Sequence, residues 1–343
     1  MVPIEGHLLA AACAGGPLVG EPAPPPGEFV ACVSPTTQSL RGLAAVDAEC
    51  AWIGGSGGAL FRTVDGGRSW REVAPPGTRT HDFRDLSAFD REAAVVLVAG
   101  QPAQLWRTTD AGRSWSLVLA DERPAAFFDA IDFAGQRGVL LGDPVDGCFD
   151  LRISDDAGAS WRLLPPARLP APLPGESAFA ASGSVVGLCA DGGLWLATGG
   201  GSARFLRLPG ASGEASAVLL PLANGAPTRG AFAVAFCGDR GVAVGGDYAD
   251  PQRADGSAAW TQDGGRSWRA VYGGAGGFRS AVVWLDDRTT LAVGSHGCSW
   301  SADGGRSWRG LPGAFHALAR AADGAVWAVG ADGRVARWRR RGE

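Results

Sequence analysis

The 343-residue chain contains no lysine, so all 31 of its basic side chains are arginine. It has one asparagine (Asn224), one methionine and two tyrosines (Tyr248 and Tyr272). The missing lysine and asparagine go with an Ala-, Gly- and Arg-rich usage that reads as codon bias, and no chemistry is drawn from them. Histidine is scarce, and the seven cysteines at 13, 32, 50, 148, 189, 237 and 298 form no C-x-x-C pair, which excludes the usual metal-ligand spacings. The cysteines read as small buried hydrophobes; a Cys32–Cys50 disulfide is left open. A net charge of −4 leaves no electrostatic footprint for nucleic acid. No apolar run reaches the roughly 18 to 20 residues of a membrane helix, so no integral membrane segment is expected. No G-x-G-x-x-G follows a strand in a βαβ context, which removes dinucleotide redox chemistry. No metal and no cofactor are expected.

What the chain has in excess is a phrase. Thr261-Gln262-Asp263-Gly264-Gly265-Arg266-Ser267-Trp268 recurs, in its Ser/Thr, Asp, Gly and Trp spacing, from Thr63 to Trp70, Thr108 to Trp115, Ser154 to Trp161 and Ser301 to Trp308. The aspartates at 65, 110, 156, 263 and 303 are separated by steps of 45, 46, 107 and 40 residues, so the long step hides one unit that lost its phrase. A fixed period of this size means stacked supersecondary units, none able to bury its apolar face alone. Each box lies between two short aromatic and β-branched runs, the pattern of a hairpin with a glycine-bearing turn. Asp65, Asp110, Asp156, Asp263 and Asp303 are expected to accept turn N–H groups, and Trp70, Trp115, Trp161, Trp268 and Trp308 to cover the turns. Only one Asp is constant per box, so a five-fold calcium site is not read.

Seven units follow in order. Their inner strands start near Leu40, Phe83, Phe127, Ser177, Ala231, Phe278 and Phe315. The fourth has Gly210 to Glu214 where its box should be. The seventh stops after three strands, and Glu28 to Val33 has the length to supply the fourth. The expected fold is therefore all-β, a seven-bladed β-propeller with Asp-box hairpins over residues 28–340, closed by the N-terminal strand, which removes open edges. Residues 1–27 read as a flexible Pro-rich N-terminal segment. Within it, Leu8 to Cys13 is loosely like a lipoprotein cleavage site and matches a signal peptide poorly.

The boxes match the Asp-box or BNR repeat, S/T-x-D-x-G-x-x-W. The seven-unit array over about 38–340 looks most like the photosystem II assembly and stability factors of the Ycf48 type and their bacterial relatives. That resemblance implies a non-catalytic scaffold for a protein partner, on the lumenal or periplasmic side of a membrane; a monomer is expected, periplasmic or secreted, with a cytoplasmic location left open. Asp boxes also occur in sialidases, and fold does not carry activity.

In a four-stranded blade the box turns mark one face, so a site is expected on the other, where inner strands begin. The candidate ligand or partner residues there are Arg41, Arg84, Asp85, Asp129, Asp143, Glu176, Arg204, Asp247, Tyr248, Arg279, His296 and His316, with loops Gly142 to Gly147 and Gly245 to Arg253 above them. Gly199 to Gly201 would let a ligand or backbone approach closely. The expected ligand is a protein partner, an anionic small molecule or a glycan. The enzymatic alternative is a sialidase-like glycoside hydrolase, with Arg41, Arg84 and Arg279 clamping a carboxylate, Tyr248 as nucleophile activated by Glu176, and Asp143 or Asp85 as acid. The Phe-Arg-Ile-Pro phrase of sialidases is absent; its nearest counterpart is Phe83-Arg84-Asp85-Leu86. The bland alternative is that these charges pair with one another across a wet channel.

Overall fold

The boxes form because each aspartate gathers its own turn. In the first, Thr63 Oγ1 donates to Asp65 Oδ1 (2.8 Å), the Ser69 N–H donates to the same oxygen (2.9 Å), and Ser69 Oγ donates to Oδ2 (2.6 Å). The other four repeat this arrangement. Hydrogen bonds led by the serine hydroxyl lower Asp65, Asp110 and Asp156 to about 2. The box tryptophans tie neighbouring units. Trp70 Nε1 donates to Val33 O (3.0 Å) and Trp115 Nε1 to Val73 O (2.7 Å), each in the preceding blade. Trp161 and Trp308 bond within their own turns.

Residues 24–210 and 213–342 are described by the computed structural model. The N-terminal apolar run, Cys13 and part of the stretch replacing the fourth box lie outside them. The described residues form seven antiparallel sheets in a ring. Blade 1 comprises Leu40–Ala45, Ala51–Gly55, Leu60–Thr63 and Arg71–Glu72. Blade 2 comprises Phe83–Ala88, Ala94–Val98, Ala103–Thr108 and Ser116–Asp121. Blade 3 comprises Phe128–Ala134, Arg137–Val145, Cys148–Ser154 and Arg162–Leu163. Blade 4 comprises Val186–Leu188, Leu194–Ala197, Arg204–Leu208 and Ser216–Leu219. Blade 5 comprises Arg229–Cys237, Arg240–Asp247, Ala258–Thr261 and Arg269–Ala270. Blade 6 comprises Ala281–Trp284, Thr290–Gly294, Gly297–Ser301 and Arg309–Leu311.

Blade 7 closes the ring. Its three C-terminal strands, Ala317–Arg320, Val326–Val329 and Val335–Arg340, take Gly27–Ala31 as their outer neighbour, in antiparallel register from Gly27 opposite Arg340 to Ala31 opposite Ala336. The apolar cores lie between blades. Second strands such as Ala51–Gly55 and Ala94–Val98 are buried along their whole length, so they read as continuous apolar runs and not as alternating ones. Trp52 and Trp327 are fully buried in these cores, and Trp195 stacks on Phe205.

Two details correct the sequence reading. The inner strand of blade 4 is Val186–Leu188, not a strand beginning at Ser177. Glu176–Ser177 instead pairs with Gly199–Gly200, which joins blade 5 through Gly199 opposite Gly230. Gly199 and Gly200 are buried against backbone, where a Cβ would lie 2.6 Å from Arg229 O and 2.3 Å from Gly175 O, so the close approach that they permit is that of a neighbouring strand. The six described cysteines are free, so Cys32 and Cys50 are not bridged.

Candidate functional site

The site begins with a repeated irregularity. Four of the seven inner strands, in blades 1, 2, 3 and 5, pair with their neighbours through an interrupted register, shifted between Leu40 and Gly42, Phe83 and Asp85, Phe128 and Ala130, and Ala231 and Ala233. The extra residue at each shift is Arg41, Arg84, Asp129 or Phe232. A bulge re-aims one side chain without breaking the sheet, and in these four blades it sends one residue into the mouth of the channel. In blades 6 and 7 the residue just before the first paired one, Ser280 or His316, stands at the same place. All six line one cavity of about 500 Å³, on the face opposite the box turns, together with Asp143, Tyr248, Ser295, Phe127, Phe179 and Phe278. Asp143 arrives on a second bulge, between Gly142 and Pro144.

The cavity has a floor that the sequence did not announce. Between Ser177 and Ser184 the chain leaves the blade pattern and crosses the channel. Phe179 stacks on Phe232 with centroids 4.0 Å apart. Arg84 Nη1 donates to Ala180 O (3.5 Å), Ser182 Oγ to Ser280 O (2.7 Å), and Val234 N to Ser184 O (2.8 Å), so blades 2, 6 and 5 each hold this plug. Gly183 is fixed by geometry: its φ is +74°, and a Cβ there would lie 2.1 Å from Asp85 Oδ1. Phe232, Phe278 and Tyr248 meet edge to face above the plug, giving one aromatic wall, with Tyr248 half exposed.

The opposite wall is charged, and its charges are not mutually neutralised. Arg84 Nε pairs with Asp82 Oδ2 at 2.8 Å. Arg41 has no hydrogen bond and no ion pair within 4 Å among the described residues. Burial, then the Arg84 guanidinium, pushes it below the ordinary arginine range, and the Asp82 carboxylate, which is bonded to Arg84, offsets this only in part. Burial, reinforced by Arg41, depresses His316 to about 4. The imidazole is therefore neutral near pH 7, with Nδ1 as donor to Leu40 O (3.1 Å), since a carbonyl can only accept. Burial, then repulsion from Asp143, raises Asp129 well above the carboxylate range, and burial also raises Asp143. Asp129 is 1% exposed and its Oδ2 has no hydrogen-bond partner.

The remaining predicted residues lie elsewhere. Glu176 is sealed against Arg204 through Nε–Oε1 (2.8 Å) and Nη2–Oε2 (2.6 Å), and also accepts from Thr198 Oγ1 and the Leu173 N–H. It does not activate Tyr248. Arg279 stands one residue before the cavity ring and is buried against Ser299 Oγ (2.7 Å) and Phe278 O (2.8 Å). The three-arginine clamp is therefore reduced to Arg41 and Arg84. Asp85 accepts from the Leu86 and Ile131 N–H groups and ties blade 2 to blade 3; burial raises it to about 7. Asp247 pairs with Arg229 at 2.7 Å. His296 is exposed and contacts Ser295 Oγ (2.9 Å), outside the cavity lining. The stretch Gly142 to Gly147 is mostly strand: Arg137–Val145 runs to a turn at Asp146 and Gly147.

Sequence reasoning missed Phe127, Phe179, Phe232, Phe278 and Ser280. The signal was the residue directly before the first regularly paired inner-strand position, which aligns Ser280, and not Arg279, with Arg41 and Arg84.

Comparison with known proteins agrees with this fold. The family described as "Photosynthesis system II assembly factor YCF48" matches residues 30–126. Among solved structures, YCF48 from Cyanidioschyzon merolae aligns with TM-score 0.65 and 18% identity, over 91% of this chain and 98% of that one. YCF48 bound to D1 peptide aligns with TM-score 0.62 and 15% identity, over 92% and 95%. A chain of the mitotic checkpoint complex aligns with TM-score 0.59 and 13% identity, over 98% of each. No curated protein matches. The chain is a seven-bladed Asp-box propeller resembling YCF48.

Proposed function

We propose that this propeller is a non-catalytic binding protein that holds an anionic group of a protein partner in the channel mouth, on the face opposite its Asp boxes. The observation that carries the reading is Arg41: a largely desolvated guanidinium beside a second guanidinium, whose one nearby carboxylate, Asp82, is bonded to Arg84 and makes no ion pair with Arg41. Burying an unpaired cation is costly, and an incoming carboxylate would repay that cost with a charge-assisted hydrogen bond. The YCF48 that shares this fold has been solved with D1 peptide, which supports a peptide as the occupant. The aromatic wall suits the apolar part of such a segment.

The hydrolase alternative receives less support. Its base, Glu176, is held in a buried bidentate pair, its third arginine is buried away from the cavity, and its acid candidate Asp85 is a strut between blades.

Calorimetric titration with D1 peptide, and with a peptide of the same sequence whose carboxylates are amidated, tests the reading. Binding of the acidic form that weakens about tenfold or more in Arg41→Ala supports it, tenfold being the loss expected for one hydrogen bond to a charged group. Equal binding of the acidic and amidated peptides, or wild-type affinity in Arg41→Glu, would overturn the anionic assignment.

A further inference from the structure

We propose that the Asp129–Asp143 corner of the same cavity is a subsite for a positively charged group, a primary ammonium such as a lysine side chain, borne by the ligand whose anionic group meets Arg41. The inference rests on that reading of Arg41 and adds a second polarity to it.

The two carboxyls reach the cavity through independent bulges on adjacent strands of blade 3, so the fold spends two irregularities to place them together. Neither has a cation of its own. Arg84 is the cation that acts on Asp129, yet its Nε is bonded to Asp82 and its Nη1 reaches the Ala180 carbonyl. Arg41 lies on the far side of Arg84, in blade 1. Asp143 accepts only the Ala178 N–H, at 3.3 Å, and Asp129 Oδ2 accepts nothing although it is buried. A buried carboxyl oxygen with no hydrogen-bond partner lacks what its burial demands, as Arg41 does without an ion pair.

The chemistry selects an ammonium over a metal ion. Among the described residues no third carboxylate, histidine or cysteine joins the pair, whereas calcium takes six or more oxygen ligands. An ammonium has three donors, enough for Asp143 with one or two left for Asp129 or water. Partly buried Asp143 is the contact group, and an arriving ammonium would draw Asp129 behind it into the ionised form that burial and Asp143 disfavour. The cavity is thus dipolar: guanidinium groups from blades 1 and 2 at one end, carboxyls from blade 3 at the other, and the rings of Phe232, Phe278 and Tyr248 opposite.

The test uses the folded chain and paired probes: 4-aminobutyrate, 6-aminohexanoate and 8-aminooctanoate against butanoate, hexanoate and octanoate, with the matching alkylamines, by calorimetry. At least one amino acid is expected to bind about tenfold tighter than its parent alkanoate, the worth of one charge-assisted bond in a partly desolvated site. Asp143→Asn keeps the oxygen that accepts the Ala178 N–H, and it should bring that ratio close to one; Asp129→Asn, assayed in parallel, should also lower it. Alkanoates binding as tightly as their amino counterparts would overturn the cationic subsite while leaving the Arg41 reading intact. Alkylamines binding where alkanoates do not would remove the Arg41 reading and keep the subsite. Failure of every probe to bind would overturn both.

Discussion

The Glu176–Arg204 pair separates a structural role from a catalytic one, and its energetics can be worked from the contacts. Both side chains are nearly sealed, at 4% and 7% exposure, and Glu176 receives four donors: two from Arg204, one from Thr198 and one from the Leu173 backbone. Glu176→Ala removes the acceptor and leaves a buried guanidinium with one remaining partner, the Ala171 carbonyl. Breaking one side of a buried pair costs about 3–5 kcal/mol. For a chain of 343 residues the unfolding entropy near the midpoint is about 0.7 kcal/mol per degree, so the melting temperature should fall by roughly 4–7 °C. Replacing both partners with apolar residues of similar size, as in Glu176→Leu with Arg204→Met, should recover most of that loss, because a buried pair stabilises little against hydrophobic isosteres. Denaturant titration and thermal melts of the two singles and the double give the cycle. A Glu176→Ala protein as stable as wild type that loses ligand binding or hydrolysis would refute the structural assignment.

Two further outcomes follow from the site and the boxes. Asp65, Asp110 and Asp156 have folded-state values of about 2, below the ordinary aspartate value of about 3.8; the stability they confer is complete above pH 4 and is lost as pH falls towards 2. Tryptophan emission should therefore shift over that window as the turns under Trp70, Trp115 and Trp161 loosen, and a titration flat down to pH 2 would contradict it. Gly183→Ala sets a Cβ against Asp85 Oδ1 and forces a left-handed backbone onto a β-carbon; a loss of about 1–3 kcal/mol with altered ligand affinity is expected, and wild-type values for both would show that the plug does not shape the cavity.

The repeat was legible because it is local. A Thr or Ser two residues before the Asp, and a Ser four after it, give the box aspartate its hydrogen bonds within one turn, so five copies announce five hairpins without knowledge of the rest of the chain. The closing strand was legible for a related reason: a three-stranded last unit and a spare alternating segment at the other end have one economical solution. The fourth unit was not, because it lacks the box that sets the phase. Its inner strand shortens to Val186–Leu188, and the residues assigned to that strand cross the channel instead. Arg279 was misplaced by a single position: it follows a phenylalanine as Arg84 does, yet Ser280 is the residue that precedes the first regular pair. A one-residue slip reverses which way a strand side chain points.

The sequence by itself determined the blade count, the box turns and the face on which inner strands begin, since all three follow from short-range spacing and turn chemistry. Tertiary structure alone decided which charges are free. Glu176 and Arg204 are 28 residues apart and meet because Gly199–Gly200 carries a strand between them, while Arg41, Arg84, Asp129 and Asp143 come from three blades and share one cavity through bulges that no local propensity encodes. Whether a buried charge is paired depends on what the ring brings within 4 Å of it, and that distance is a property of closure.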